Sequence, residues 1–141
     1  MAQTNVAAAA PGDPRHHEPA WSRQGGTVVD IERCLEHRLA LCERMTDIAA
    51  AFFSVSGKEL RYCGRSRTEV ARVRQIAMYV THVALGMTMT DVGRGFRRDR
   101  TTVMHACHLI EDMRDDEDFD CIVARFEKIA RAAFAEQEVR P

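Results

Sequence analysis

Side chains that bind metals are concentrated in one stretch, which contains His105, Cys107, His108 and, further on, Cys121. If this stretch is a helix, Cys107 points about 200° away from His105, because each residue turns by about 100°. His105 and His108 have the spacing to hold one ion, but no second pair at ligand spacing accompanies them. No cysteine or serine has the neighbouring base that activates a nucleophile. The sequence therefore predicts no metal site, no catalytic residue and no enzyme.

The same stretch has the pattern of a helix-turn-helix over residues 88–114. Thr88 and Asp91 are spaced as a capping-box-like pair at the start of the first helix. We expect that helix to end at Gly93 to Gly95, because glycine is costly within helices and favours left-handed turns. Asp99 is then expected to cap the second helix with its carboxylate.

The second helix, Asp99 to Arg114, is expected to have two different faces. Val103, Cys107 and Ile110 recur at helical spacing and predict the buried stripe. The side chains that fall off this stripe are Arg100, Thr101, Thr102, His105 and His108. This layout is typical of a recognition helix, which enters the major groove of DNA.

Charge is strongly segregated along the chain, although the net charge is only -1. From Gly57 to Ile110 there are ten cations, nine of them arginine, against four acids. From Glu111 to Asp120 there are seven acids and one arginine. The pattern indicates two surfaces with different roles, although charge runs can also be merely solvated surface.

Length and composition favour one soluble domain with a tail. The 141 residues suffice for one core, and no apolar run has the length of a membrane span or a signal-peptide core, so we expect a cytoplasmic protein. The five cysteines are odd in number and form no CxxC pair, which argues against a disulfide framework. Residues 1–28 are rich in Ala, Pro and polar residues and predict a disordered tail, in which Trp21 is the only large apolar residue.

Residues 29–138 predict an all-α domain, because apolar residues recur at intervals of three and four. Ser56 and Glu59 form a capping box before a short helix. Gly86 is the expected stop of the helix that precedes the helix-turn-helix. Besides these elements, long helices are predicted over residues 30–53, 68–85 and 119–135.

Two motifs within this domain resemble a known family. ARVRQIAMYV (71–80) and TDVGRGFRRDRTTVMHACHLIE (90–111) are similar to the C-terminal DNA-binding domain of the bacterial replication initiator DnaA. The resemblance extends from about Thr46 to Phe134. It implies a helix-turn-helix bundle like that of the Trp repressor, with double-stranded DNA as partner.

The resemblance also implies roles for individual residues. Arg74 would reach the minor groove. The residues expected in the major groove are Asp99, Arg100, Thr101 and Thr102. The expected phosphate contacts are Lys58, Arg65, Arg94, Arg97, Arg98 and His105. Alternatively, Asp99 only caps its helix and His105 is an ordinary surface residue.

The sequence departs from the family pattern in three places. Arg100 replaces a histidine. The arginine side chain would offer guanine two parallel hydrogen bonds and so change the base preference. The turn between Phe96 and Asp99 is one residue shorter, and Val73 stands where proline is frequent. No phosphate-binding GxxxxGK[ST] is present, so we expect no nucleotide, no cofactor and no ATP-driven assembly.

The sequence is compatible with two functions. The first is a sequence-specific DNA-binding regulator of transcription or replication initiation at initiator-type boxes, associated with the nucleoid. The second is a protein-interaction module that docks through the acidic residues 111–120 and the long helix 30–53. Candidate partners besides DNA are a second copy of the chain or a replication or transcription protein.

Overall fold

The computed structural model of the chain describes residues 28–138, which form six helices and no strand. The helices are α1 (Val28–Phe53), α2 (Gly57–Arg61), α3 (Thr68–Val83), α4 (Met89–Phe96), α5 (Arg100–Met113) and α6 (Glu117–Glu138). The predicted all-α class is confirmed for this part of the chain. None of these helices combines the length and the apolar character needed to cross a membrane. The tail predicted over residues 1–28 lies outside the described residues, apart from Val28, which begins α1.

The contacts divide the chain into two units after Cys34. The described part of the first unit is the start of α1, whose described side chains are exposed. The second unit starts at Leu35 and contains the rest of α1 together with α2 to α6.

α3 is the central helix of the second unit. It packs against α2, α4, α5 and α6, and nine of its sixteen residues are buried. Val70, Ile76 and Val80 are buried as the periodicity predicts, and Met78 and Tyr79 are buried on its other sides. A helix that is apolar on more than one face is stable only when other helices cover those faces. This explains why α2, α4, α5 and α6 pack around α3.

The short helix α2 is held at its start and at its end. The Oγ of Ser56 accepts a hydrogen bond from the backbone N–H of Glu59 at 3.4 Å, so the predicted cap is confirmed. At the other end, Arg61 donates to Glu43 Oε2 at 2.9 Å and to Asp47 Oδ1 at 2.7 Å, both on α1. The segment RYCGRSR (61–67, the basic linker) begins with Arg61, the last residue of α2. These bonds therefore fix the start of the basic linker on α1.

Two residues of the acidic block (Glu111 to Asp120) bind side chains of the same domain. The hydroxyl of Tyr79 on α3 donates to Glu111 Oε1 at 2.7 Å. At the end of α5, Arg114 donates from Nη1 to Glu127 Oε1 at 2.6 Å and from Nε to Asp120 Oδ1 at 2.5 Å. These half-buried bonds connect α3, α5 and α6, so Glu111 and Asp120 contribute to the fold rather than to a free acidic surface.

Candidate nucleic-acid interface

The helix-turn-helix consists of α4, the turn Arg97–Asp99 and α5. The Oγ1 of Thr88 accepts the backbone N–H of Asp91 at 3.2 Å, so the predicted start of α4 is confirmed. The prediction that α4 ends at Gly93 to Gly95 is wrong, since the helix continues to Phe96.

The two glycines of α4 allow close packing instead of ending the helix. A Cβ on Gly95 would lie 2.2 Å from Sγ and 2.5 Å from Cβ of Cys42 on α1. A Cβ on Gly93 would lie 2.6 Å from the backbone oxygen of Arg98. Glycine costs a helix about 1 kcal/mol relative to alanine, and the close approach of α4 to α1 outweighs that cost.

An ion pair provides a second connection between α4 and α1. Arg38 Nη1 donates to Asp91 Oδ2 at 2.8 Å, and the Asp91 side chain is only 10% exposed. The close approach of Gly95 to Cys42 lies one turn further along α4. The first helix of the motif is therefore held on α1 at two points, which gives the turn and α5 a rigid support.

The end of α4 has a strained residue in the position where glycine is usual. Arg97 has φ 56° and ψ 47°, the left-handed region. The N–H of Arg98 donates to the carbonyl of Gly93 at 2.8 Å and that of Arg97 to the carbonyl of Arg94 at 3.4 Å. This is the Schellman pattern, which normally has glycine at the left-handed position.

Replacing Arg97 by glycine is expected to stabilise the domain by roughly 0.5–1 kcal/mol. A left-handed residue with a Cβ costs about 1–2 kcal/mol, and the greater freedom of glycine in the unfolded chain offsets part of this gain. Urea unfolding of the two proteins measures the difference. Arg97→Ala is the matched control, because it removes the same charge and keeps the strain. Equal stability of the glycine and alanine variants would contradict the prediction.

The first turn of α5 faces outward without internal partners. Asp99, Arg100, Thr101 and Thr102 are exposed, and within residues 28–138 none of their side chains makes a hydrogen bond or an ion pair. Asp99 occupies the predicted N-cap position, but its carboxylate accepts no hydrogen bond from the helix. The buried residues behind this turn are Val103, Ala106, Cys107 and Ile110. We call residues 99–102 the recognition turn.

His105 and Cys107 lie on opposite sides of α5, as the helical spacing predicts. His105 is exposed, whereas Cys107 is buried. Burial, with a smaller contribution from Glu111, raises the pKa of the Cys107 thiol. A thiol in that state is a poor metal ligand. Over the described part of the chain, no three or more metal-binding side chains come together.

Most of the residues that are predicted to contact DNA phosphates are exposed. They are Lys58, Arg65, Arg94, Arg97 and His105. Arg98 is partly buried, and its Nη2 donates to the backbone carbonyl of Tyr62 at 2.8 Å. This bond brings the basic linker next to the turn of the helix-turn-helix, so the cations of both segments lie on neighbouring parts of the surface.

The structure places Arg74 inside the protein, with its guanidinium directed at the end of α2 and at the basic linker. Nε donates to Leu60 O at 2.9 Å, and Nη2 to Glu59 O at 3.1 Å and to Tyr62 O at 3.4 Å. Nη1 donates to Ser66 Oγ at 3.2 Å. These bonds use four of the five N–H groups of the Arg74 guanidinium. That Arg74 reaches the minor groove stays a prediction.

The surroundings of Arg74 also affect its acidity. Burial, followed by the positive charge of Arg98, lowers the pKa of the Arg74 guanidinium. Arginine nonetheless stays charged at physiological pH. Arg98 lies close to Arg74, since both side chains donate to the carbonyl of Tyr62.

The other arginine of the same motif, Arg72, is less buried than Arg74. It is half-buried, and Nη1 donates to Gln75 Oε1 at 3.0 Å. A signal for this difference is present in the sequence, since Val70, Arg74 and Ala77 follow the i, i+4, i+7 spacing of a buried stripe. Residues two positions apart lie on opposite sides of a helix. Arg72, to which the resemblance assigns no role, is therefore an additional candidate contact.

The model of the bacterial DnaA protein helix-turn-helix matches residues 42–110, from the middle of α1 almost to the end of α5. Residues 42–110 belong to this family. The match covers the recognition turn and the basic linker of the DnaA-type domain, whereas α6 and the acidic residues 111–120 lie beyond it.

Relatives of the DnaA-type domain are much longer than this chain. The chromosomal replication initiator protein DnaA of Mesorhizobium japonicum is 36% identical over 88 residues, which is 62% of this chain and 18% of that protein. The chain therefore spans about a fifth of that relative.

Solved structures show the same fold. A DNA replication initiation factor matches with a TM-score of 0.65 at 24% identity, covering 72% of this chain and 32% of that one. Replication initiator DnaA bound to AMPPCP and single-stranded DNA matches with a TM-score of 0.62 at 22% identity, covering 78% and 33%. At these identities the likeness concerns the fold of the DnaA-type domain alone.

Proposed function

We propose that this domain binds double-stranded DNA sequence-specifically by inserting the start of α5 into the major groove. The observation that carries the proposal is the recognition turn. Arg100, Thr101 and Thr102 are exposed and have no partner within residues 28–138, while Val103 directly behind them is fully buried. A recognition helix needs this combination of free polar groups at its N-terminal end and a rigid support.

Each residue of the recognition turn has a chemistry suited to base edges. The Arg100 guanidinium can donate two parallel hydrogen bonds to O6 and N7 of guanine. The Asp99 carboxylate, which accepts no bond from its own helix, can accept from the amine of cytosine. The methyl groups of Thr101 and Thr102 can pack on thymine methyl groups.

Cations around the recognition turn would bind phosphates and set the register. The proposed phosphate contacts are Lys58, Arg65, Arg94, Arg97, Arg98 and His105. Arg72, which is half-buried, is added as a candidate for a neighbouring groove. These contacts would supply most of the sequence-independent affinity.

The relatives suggest where such a domain would act. Because they are chromosomal replication initiators by name, we propose that the targets are initiator-type boxes at an origin or at promoters, and that the chain acts at the nucleoid. Binding there would regulate replication initiation or transcription. The role requires neither a cofactor nor a catalytic residue in this domain.

Binding to duplexes with and without an initiator-type box tests the proposal. A specific reader is expected to prefer the box by about 4 kcal/mol or more. Its affinity should fall with salt at a log–log slope of about -0.9 per phosphate neutralised. Equal affinity for all duplexes at every salt concentration would contradict sequence-specific reading.

A second candidate function is docking of a protein on the acidic block. Asp112, Asp115, Asp116, Glu117 and Asp118 are exposed, and this segment lies outside the family match. In this case the partner surface would be basic. Asp115→Lys with Asp118→Lys would abolish partner capture and leave discrimination between duplexes unchanged, which separates the two functions.

A further inference from the structure

Tyr62, in the basic linker, has an exposed aromatic side chain. It is 60% exposed, and every other aromatic residue within 28–138 is buried or half-buried. A tyrosine ring can cover apolar area while its hydroxyl keeps a hydrogen bond, which is why tyrosine is enriched at binding interfaces. A single exposed apolar side chain is ordinary on a protein surface, so the inference depends on how this one is held.

The backbone of Tyr62 is fixed between two parts of the candidate interface. Its N–H donates to the carbonyl of Glu59 at 3.2 Å and closes α2. Its carbonyl accepts a hydrogen bond from Arg98 Nη2 at 2.8 Å, and Arg98 belongs to the turn of the helix-turn-helix. Tyr62 is therefore held beside the segment that leads into the recognition turn.

The ring of Tyr62 is held as well, because it lies on the backbone of Gly64. A Cβ on Gly64 would lie 2.5 Å from Cε1 and 2.6 Å from both Cζ and the hydroxyl oxygen of Tyr62. Gly64 has no positive φ, so its backbone conformation is open to other residues, and the close approach of the ring is what requires glycine there. The phenol hydroxyl is thus placed in the middle of the basic linker.

We propose that the hydroxyl of Tyr62 donates to a phosphate oxygen of duplex DNA and that its ring packs on the adjoining deoxyribose, with Gly64 as the residue that seats the ring. This inference rests on the proposed function and deepens it, because it adds an uncharged contact to a surface of cations. Tyrosine is among the side chains that bind phosphate and sugar. Arg65 follows Gly64 directly and is exposed, so the surroundings of the ring attract phosphates.

The first part of the test removes the hydroxyl alone with Tyr62→Phe and the whole ring with Tyr62→Ala, both in the full chain. For specific and scrambled duplexes alike, we expect the Kd to rise about five-fold and about ten-fold or more, respectively. The salt slope should not change, because no charge is lost, whereas Arg65→Ala lowers it. Urea unfolding should show little loss of stability, since the side chain is exposed.

The second part moves the ring without removing it. In Gly64→Ala the new methyl group takes the place of the ring edge, so the ring must turn away. We expect the Kd to rise by about the same factor as in Tyr62→Ala. In a Tyr62→Ala background the same change should have no effect, because the two residues act as one unit. A glycine needed only for the path of the linker would cause the same loss in both backgrounds.

Wild-type affinity in either Tyr62 variant would overturn the proposal, as would equal losses for Gly64→Ala in the two backgrounds. A lower salt slope in Tyr62→Phe would also overturn it, since that result means that cations have moved. If the wild-type chain prefers no duplex, sequence-specific reading fails, whereas the contact of Tyr62 is judged on the affinity for any duplex.

Discussion

Replacing Gly95 by alanine is expected to lower the free energy of unfolding by about 3 kcal/mol or more. The new methyl group would lie 2.2 Å from Sγ of Cys42, which is fully buried, so α4 must move away from α1. Overpacking of a rigid core typically costs about 1–3 kcal/mol, and more where backbone has to shift. Urea unfolding of wild type and variant measures the difference.

Two further variants show whether the contact with Cys42 is the cause. In a Cys42→Gly background both atoms that the new methyl group meets are absent, so Gly95→Ala is expected to cost far less there than in the wild type. Gly57→Ala is the control for the residue type, because the added methyl group would meet the end of the Arg61 side chain at 2.8 Å and Cβ of Ala50 at 3.9 Å, an ordinary contact distance, but no backbone atom. Identical losses at Gly95 in both backgrounds would contradict the packing argument.

Replacing Arg100 and Thr102 together by alanine is expected to remove most of the preference for the specific duplex. A bidentate base contact contributes about 1–3 kcal/mol, so loss of both residues should lower specific affinity by roughly 30- to 1,000-fold. Both side chains are exposed and have no internal partner within residues 28–138, so stability should change little. Titration of specific and scrambled duplexes measures the effect.

Arg65→Ala is the control for this double variant, because Arg65 is an exposed cation of the basic linker. It is expected to weaken binding to both duplexes equally and to reduce the salt slope by about 0.9. Direct readout by the recognition turn would be wrong if the double variant also weakened both duplexes equally.

Local features of the domain follow from short stretches of sequence. Ser56 and Thr88 accept the backbone N–H groups that their spacing to Glu59 and Asp91 predicts. Gly86 has a φ of 70° between α3 and α4, where a stop is expected. Such features are predictable because capping and helical periodicity depend on residues only three or four positions apart.

The features that local sequence patterns do not predict concern residues whose partners are distant in sequence. Gly95 looks like part of a helix end, but it lies where α4 packs against Cys42 on α1. Arg74 looks like a free cation, but its partners lie at the end of α2 and in the basic linker. No local pattern contains this information, because a glycine that ends a helix and a glycine that admits a neighbour look the same in sequence.

The sequence by itself determined the helices, the buried stripe of α5 and the polar side chains at its start, because each depends on the period of the helix and on neighbouring residues. Only the tertiary structure decided that α4 continues through its glycines, that Arg97 adopts the left-handed conformation, and which arginine of RVRQ is buried. Those outcomes depend on how closely α1, α2, α3 and α4 approach one another. That approach is set by the combined packing of residues far apart in the chain.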